Sequence, residues 1–212
     1  MTARPMLSTA ASLYVIFPIL LILTAVSLFL KAQQIRREEK SVSSTQISNQ
    51  TNRQTDRQTN RQITHLLILL LLIYLLVYIW LTFLCRRPAA RSILHLMPFW
   101  SYREAFELSP FKIKRLGIAR QILLNILLTM PLGLLLPLLL NSKKHPFLLT
   151  TAITLILAIL TEALQYLTRL GMAELDDVFD NLLGALLGMQ IINFGTKIMR
   201  KNMRINDSIA VP

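Results

Sequence analysis

Three stretches of the chain, Ser12–Leu30, Leu66–Leu84 and Gln121–Leu140, are apolar on every face and carry no charge. Each has the roughly twenty residues that cross a hydrocarbon core of about 30 Å at about 1.5 Å per residue. Soluble core helices keep a polar face, so unbroken apolarity over five turns predicts membrane helices. Two further stretches, Phe147–Leu167 and Val178–Gly195, are apolar but hold a few polar residues near one end. The pattern predicts an all-α, polytopic membrane bundle of about five spans. The first block could also be a secretory signal, with Ala25-Val26-Ser27 as a cleavage site. It continues through Leu28-Phe29-Leu30 and has only Arg4 before it, so it reads as an uncleaved anchor, residues 1–30.

Between the first two spans the composition changes abruptly. Residues 31–65 are polar and basic, and Gln50–Arg61 repeats Gln-Thr-Asn-Arg, Gln-Thr-Asp-Arg, Gln-Thr-Asn-Arg. Such a stretch buries too little to offset the entropy of ordering and reads as a disordered linker. Residues 91–120 are too charged to cross, yet hold Phe99, Trp100, Tyr102, Phe106 and Phe111. Basic and aromatic residues together suit a segment at headgroup depth. Pro131 and Pro137 fall inside the third span and predict a kink or break there. Residues 66–195 form the membrane domain, and 196–212 a basic polar tail.

Composition sharpens this picture. Hydrophobic residues make up 53% of the 212 and the net charge is +12. The basic residues flank apolar blocks, where anionic headgroups are the expected partners, so nucleic acid is not expected. The lone Cys85 excludes an internal disulfide, and His65, His95 and His145 are too scattered for a metal site; neither metal nor cofactor is expected. With the N-terminus outside, thirteen Lys and Arg fall on the inner side and ten on the outer. The count leans to an outer N-terminus and a cytoplasmic C-terminus.

The candidate chemistry lies in residues 161–188. Glu162 and Gln165, three apart, share one face of the fourth span, and a polar residue there turns inward to the bundle. Arg169, at i+7 from Glu162, is a candidate partner. Asp176 or Asp177 can cap the fifth helix. Asp177, Asn181, Gly184 and Gly188 nevertheless follow at +4, +3 and +4 on one face. Gly184-x-x-x-Gly188 permits close helix approach, which would draw Asp177 and Asn181 toward Glu162 and Gln165. The expected inner shell is therefore Glu162, Gln165, Asp177 and Asn181, with Arg169, Glu174, Asp176 and Asp180 as rim.

These residues resemble the VanZ-like family of membrane proteins associated with teicoplanin resistance. Glu162-x-x-Gln165, Asp176-Asp177, Asn181, Gly184 and Gly188 stand in the family's order and spacing. Upstream, Leu96-Met97-Pro98-Phe99 resembles its aliphatic-Pro-Phe motif. Asn125-Ile126-Leu127-Leu128 with Met130-Pro131-Leu132-Gly133 resembles its Asn-aliphatic-Pro-Leu-Gly span. The likeness covers roughly residues 66–195. The family's turn carries Gly-Arg, and an Asp where Glu174 stands; here it reads Arg169-Leu170-Gly171. The resemblance implies a four-helix core in a bacterial cell envelope and an effect on glycopeptide susceptibility, without supplying a mechanism.

Three functions remain open at this point. A non-enzymatic protein would hold a lipid or amphiphile at the polar cluster. An enzyme would act on a lipid or envelope precursor through paired carboxylates, although no Ser or Cys nucleophile lies in the cluster and no glycine loop cradles phosphate. A proton- or ion-coupled transporter would use the intramembrane acids. The first is the expected reading.

Overall fold

The computed structural model describes residues 16–27, 51–86, 88–106, 112–140 and 144–209. Helix α1 covers Ile16–Ser27 and α2 covers Thr51–Ile79, running on into a π-helical turn at Trp80–Leu84. Strand β1 (Ile93–His95), helix α3 (Trp100–Phe106) and helices α4 (Lys112–Leu139) and α5 (Pro146–Thr168) follow. Strand β2 (Met172–Glu174) then leads directly into α6 (Leu175–Ile209). Four helical segments are long and apolar enough to cross a membrane, at Arg61–Leu84, Leu116–Leu139, Pro146–Thr168 and Leu175–Ile198. α1 is a shorter apolar helix, and the remainder of the expected first span lies outside the described residues.

α2 begins inside the stretch expected to be a disordered linker: residues 51–65 are helical, while 31–50 lie outside the described residues. Once the apolar span has nucleated a helix, adding polar turns to it is cheap, and Gln and Arg are good helix formers. Of the kink or break expected in the third span, the break is absent, since α4 is continuous through Pro131 and Pro137. Each proline removes one backbone donor, but neighbouring helices support the turn in a packed bundle.

The seam between α4 and α6 sets the geometry. A Cβ on Gly133 would collide with the Ala185 carbonyl oxygen, and one on Gly184 with that of Ile126. A Cβ on Gly188 would likewise run into the Met130 carbonyl oxygen. The small-residue face is thus used within the chain, backbone against backbone. On the other side of α4, Leu128, Leu132, Leu135 and Leu136 pack with Tyr74, Tyr78 and Leu81 of α2. Leu21 and Ala25 of α1 join the same cluster, so the N-terminal helix is part of the bundle's packing. The leucines and isoleucines left exposed on α2 and α5 are those a span presents to lipid.

α2, α4, α5 and α6 alternate in direction, so four ends meet on one side: the C-terminal ends of α2 and α5 and the N-terminal ends of α4 and α6. On that side β1 and β2 pair in parallel, Ile93 with Met172, Leu94 with Ala173 and His95 with Glu174. This two-stranded ladder ties the segment after α2 to the turn between α5 and α6. Its neighbours Leu96, Met97, Phe99 and Phe106 are exposed, as an apolar surface at headgroup depth would be.

Candidate functional site

Five carboxyl groups, those of Glu162, Glu174, Asp176, Asp177 and Asp180, are buried where the four helix ends meet, together with Gln165 and Asn181. The four residues expected as an inner shell are all buried there. Three of the expected rim, Glu174, Asp176 and Asp180, are equally buried. Asp180 lies four residues after Asp176 on a second face of α6, and helix α3, from a distant part of the chain, covers that face.

Asp176 accepts hydrogen bonds from the Phe99 amide (2.6 Å), the Ser101 amide (2.9 Å) and the Ser101 hydroxyl (2.6 Å). It therefore caps α3 from across the fold. Phe99 needs the support: its φ of 60° lies in the left-handed region, unfavourable for a bulky side chain. The Phe99 ring stacks on Phe179 at 5.7 Å, so Pro98-Phe99 forms a corner clamped to α6. Next to it, the Tyr102 hydroxyl donates to Asp180. Burial and that carboxylate raise the Tyr102 phenol above its ordinary value.

Deeper in the site, Glu162 accepts from the Glu174 amide at 3.0 Å. The Gln121 amide stands 3.4 Å from both Asp177 oxygens. Asn125, one turn further along α4, is near Asp177, with its Nδ2 outside hydrogen-bond geometry. Glu174, just ahead of α6, is pushed up to about 7 by burial first and then by the Asp177 and Asp176 carboxylates, with the Gln121 amide partly offsetting them.

Among the described residues, the cation that acts on these acids is Arg86. Arg86 acts electrostatically on Glu162 and Asp177. Its Nη1 fills the space where a Cβ on Gly171 would stand, at 2.6 Å, with Gln165 Oε1 beside that space at 3.0 Å. The π-helical turn, closed by Cys85 N–H to the Trp80 carbonyl at 3.0 Å, sets the direction of the chain just before this arginine. Arg169 is exposed and closes α5 instead. It has φ 58°, and Leu170 N–H reaches the Gln165 carbonyl at 3.1 Å, a left-handed C-cap. Its own carbonyl receives the Ala89 amide at 2.7 Å.

Gln121, Arg86 and Ser101 were not expected in the site from the sequence, and Tyr102 was read only as an interfacial aromatic. Only Gln121 carried a usable signal, since it precedes Asn125 by four residues at the polar end of a span. Among the described residues, no group of three His, Cys, Asp or Glu side chains is placed to hold a metal ion. Several buried polar atoms have no hydrogen-bond partner, among them Gln165 Oε1, Glu174 Oε1, Asp180 Oδ2 and Asn125 Nδ2.

Residues 69–196 match the family model described as VanZ/LLP1. Protein VanZ of Enterococcus faecium is 29% identical over 106 residues, covering 50% of this chain and 63% of that protein. The match thus spans a little less than two thirds of the relative. No solved structure matches the chain.

Proposed function

Because the chain belongs to the VanZ/LLP1 family and has four segments fit to cross a membrane, we propose that it holds the polar end of an amphiphile. The amphiphile is a membrane lipid or a lipid-like molecule of the bacterial envelope. The site is the cluster of Glu162, Gln165, Asp177 and Asn181 with Arg86. The observation that carries this reading is unspent hydrogen-bonding capacity. Buried polar groups are normally paired, and one left alone costs about 1–3 kcal/mol. Here one unpaired atom, Gln165 Oε1, belongs to that cluster, and three more lie on Glu174, Asp180 and Asn125 at the same ends of the apolar helices. A polar group entering from the headgroup layer would meet them while its apolar chain stayed against the exposed leucines.

The charge count favours the cluster on the outer face. In that orientation the site meets amphiphiles arriving from outside, and binding there alters susceptibility to a lipoglycopeptide such as teicoplanin, which carries an acyl chain. The test is expression of the wild type, Glu162→Gln and Asp177→Asn in a susceptible Gram-positive host at matched membrane levels. Inhibitory concentrations of teicoplanin are compared with those of vancomycin, which lacks the chain. Selective protection against teicoplanin that both variants lose supports the reading. Protection against neither drug removes the resistance role and leaves amphiphile binding to be measured directly.

A further inference from the structure

Thr150, Thr154, Thr161 and Gln165 follow one face of α5 at steps of four, seven and four, and each is at most 4% exposed. This polar row is held off the lipid for about 22 Å of helix, most of the depth of a hydrocarbon core. A threonine hydroxyl inside a helix commonly bonds the carbonyl four residues back, as Thr150 does to Pro146 at 2.8 Å. Thr161 instead pairs across the bundle with the Tyr78 hydroxyl of α2, at 3.0 Å. Thr154 Oγ1 is buried with no hydrogen-bond partner among the described residues.

α2 carries a matching row. Tyr74, Tyr78 and Thr82 repeat every four residues into the π-helical turn, all buried, and Arg86 follows four further on. The Tyr74 and Tyr78 rings are 5.9 Å apart, yet Tyr74 Oη and Thr82 Oγ1 also have no partner among the described residues. α2 and α5 run parallel, and the Tyr78–Thr161 bond marks one common level. Tyr74, one turn below it, falls between the levels of Thr161 and Thr154, where the α5 row has only the small, buried Ala158. Toward the site the two rows converge: Arg86 Nη1 and Gln165 Oε1 border one space at Gly171. Arg86 in turn acts on Glu162 and Asp177 of the carboxyl cluster.

Three unpaired hydroxyls in an otherwise apolar bundle call for a partner. A lipid headgroup would have to part α2 from α5 to reach them. A water molecule is small enough, and it both donates and accepts. We propose that the seam between α2 and α5 holds water and conducts protons between the carboxyl cluster and the opposite face of the membrane. Each hydroxyl passes its proton to the next oxygen and takes one from the oxygen before it, so the row itself stays neutral. At the far end Thr150, bonded to the Pro146 carbonyl, brings the row to the first turn of α5, beside the exposed His145. The seam stands apart from whatever amphiphile the cluster holds.

The test places the purified full chain in phosphatidylcholine vesicles loaded with a pH-sensitive dye, with valinomycin and a potassium gradient imposing the voltage. Wild-type vesicles are expected to acidify faster than protein-free ones. Tyr74→Phe and Thr154→Val each delete one unpaired hydroxyl and bury no new polar group. Each should slow the protein-dependent rate about tenfold, the factor that about 1.4 kcal/mol of added barrier gives, with an unchanged melting temperature. Thr129→Val is the control: that hydroxyl is equally buried but already bonded to the Asn125 carbonyl of its own helix, at 3.0 Å, and its loss should leave the rate alone. A wild-type rate no faster than that of protein-free vesicles overturns the proton path. Equal rates in wild type, Tyr74→Phe and Thr154→Val overturn the seam as its route. Slowing by Thr129→Val as well reduces the effect to packing and overturns it too. Amphiphile binding is measured on the same samples, so its failure is distinguishable from failure of the path.

Discussion

Asp176 accepts hydrogen bonds from both the amide and the hydroxyl of Ser101, 75 residues earlier in the chain. With the Phe99 amide as a third donor, this carboxylate fixes the corner at which the interfacial segment turns into α3. Asp176→Ala strands the buried Ser101 amide, at a cost of about 1–3 kcal/mol, and frees the part-buried Phe99 amide as well. The variant is expected to unfold several degrees lower in detergent than the wild type. Hydrogen exchange should accelerate first at residues 99–106. An unchanged melting temperature would show that the corner is held by the Phe99–Phe179 stack alone.

Gly171→Ala separates the site from the fold. Its Cβ would collide with the tip of the Arg86 side chain, a flexible group that can move away. The backbone at Gly171 is not in the left-handed region. Stability should therefore stay within about 0.5 kcal/mol of wild type, the usual range for a substitution without a named structural cost. Amphiphile binding changes because the guanidinium is pushed off Glu162 and Asp177. The check is a thermal melt beside a binding isotherm on the same sample.

Gly133→Ala acts in the opposite way. There the obstacle is the Ala185 backbone, which cannot step aside without parting α4 from α6. Overpacking of a tight core costs about 1–3 kcal/mol and occasionally more. The expected result is poor accumulation in the membrane and a lowered melting temperature, whether or not ligand is present. Gly117, which has open space around it, serves as the tolerant control when changed to alanine.

Glu174 gives the protein a pH dependence of known sign. Its carboxyl is raised from the ordinary value of 4.5 to about 7 in the fold. Between those values the folded protein keeps a proton that the unfolded chain has released, so stability falls as pH rises from about 4.5 to about 7. Above that range the loss is complete, and below it the contribution is fully present. Glu174→Gln should flatten this part of the curve of melting temperature against pH. A curve of unchanged slope would assign the titration to another group.

Much of the fold and half of the site were legible in advance, for a physical reason. In an apolar helix every polar residue is conspicuous, and spacings of three and four report a shared face. Glu162 with Gln165, and Asp177 with Asn181, were readable on that ground, as were the glycines of the α4–α6 seam. The burial of Asp176 and Asp180 was not readable, because it depends on α3 arriving from far upstream to cover their face of α6. Arg86 was missed for the same reason, and Arg169 was chosen because it was near in sequence. In the structure Arg169 ends a helix, while Arg86 reaches the acids across the bundle. Strands of three residues carry no alternation long enough to register, so the β1–β2 ladder left no trace in the pattern.

That ladder also constrains the order in which the molecule can be made. The ribosome delivers Ile93–His95, Arg86 and the Phe99–Ser101 corner to the membrane while α4, α5 and the partner strand are still unmade. Until Met172–Glu174 emerges, the first strand has an open edge, and Asp177, one of the two carboxylates that Arg86 acts on, is still to come. The hairpin of α5 and α6 therefore acts as a keystone: it brings the partner strand and the carboxylates that Arg86 meets, and the site is half-built until it arrives.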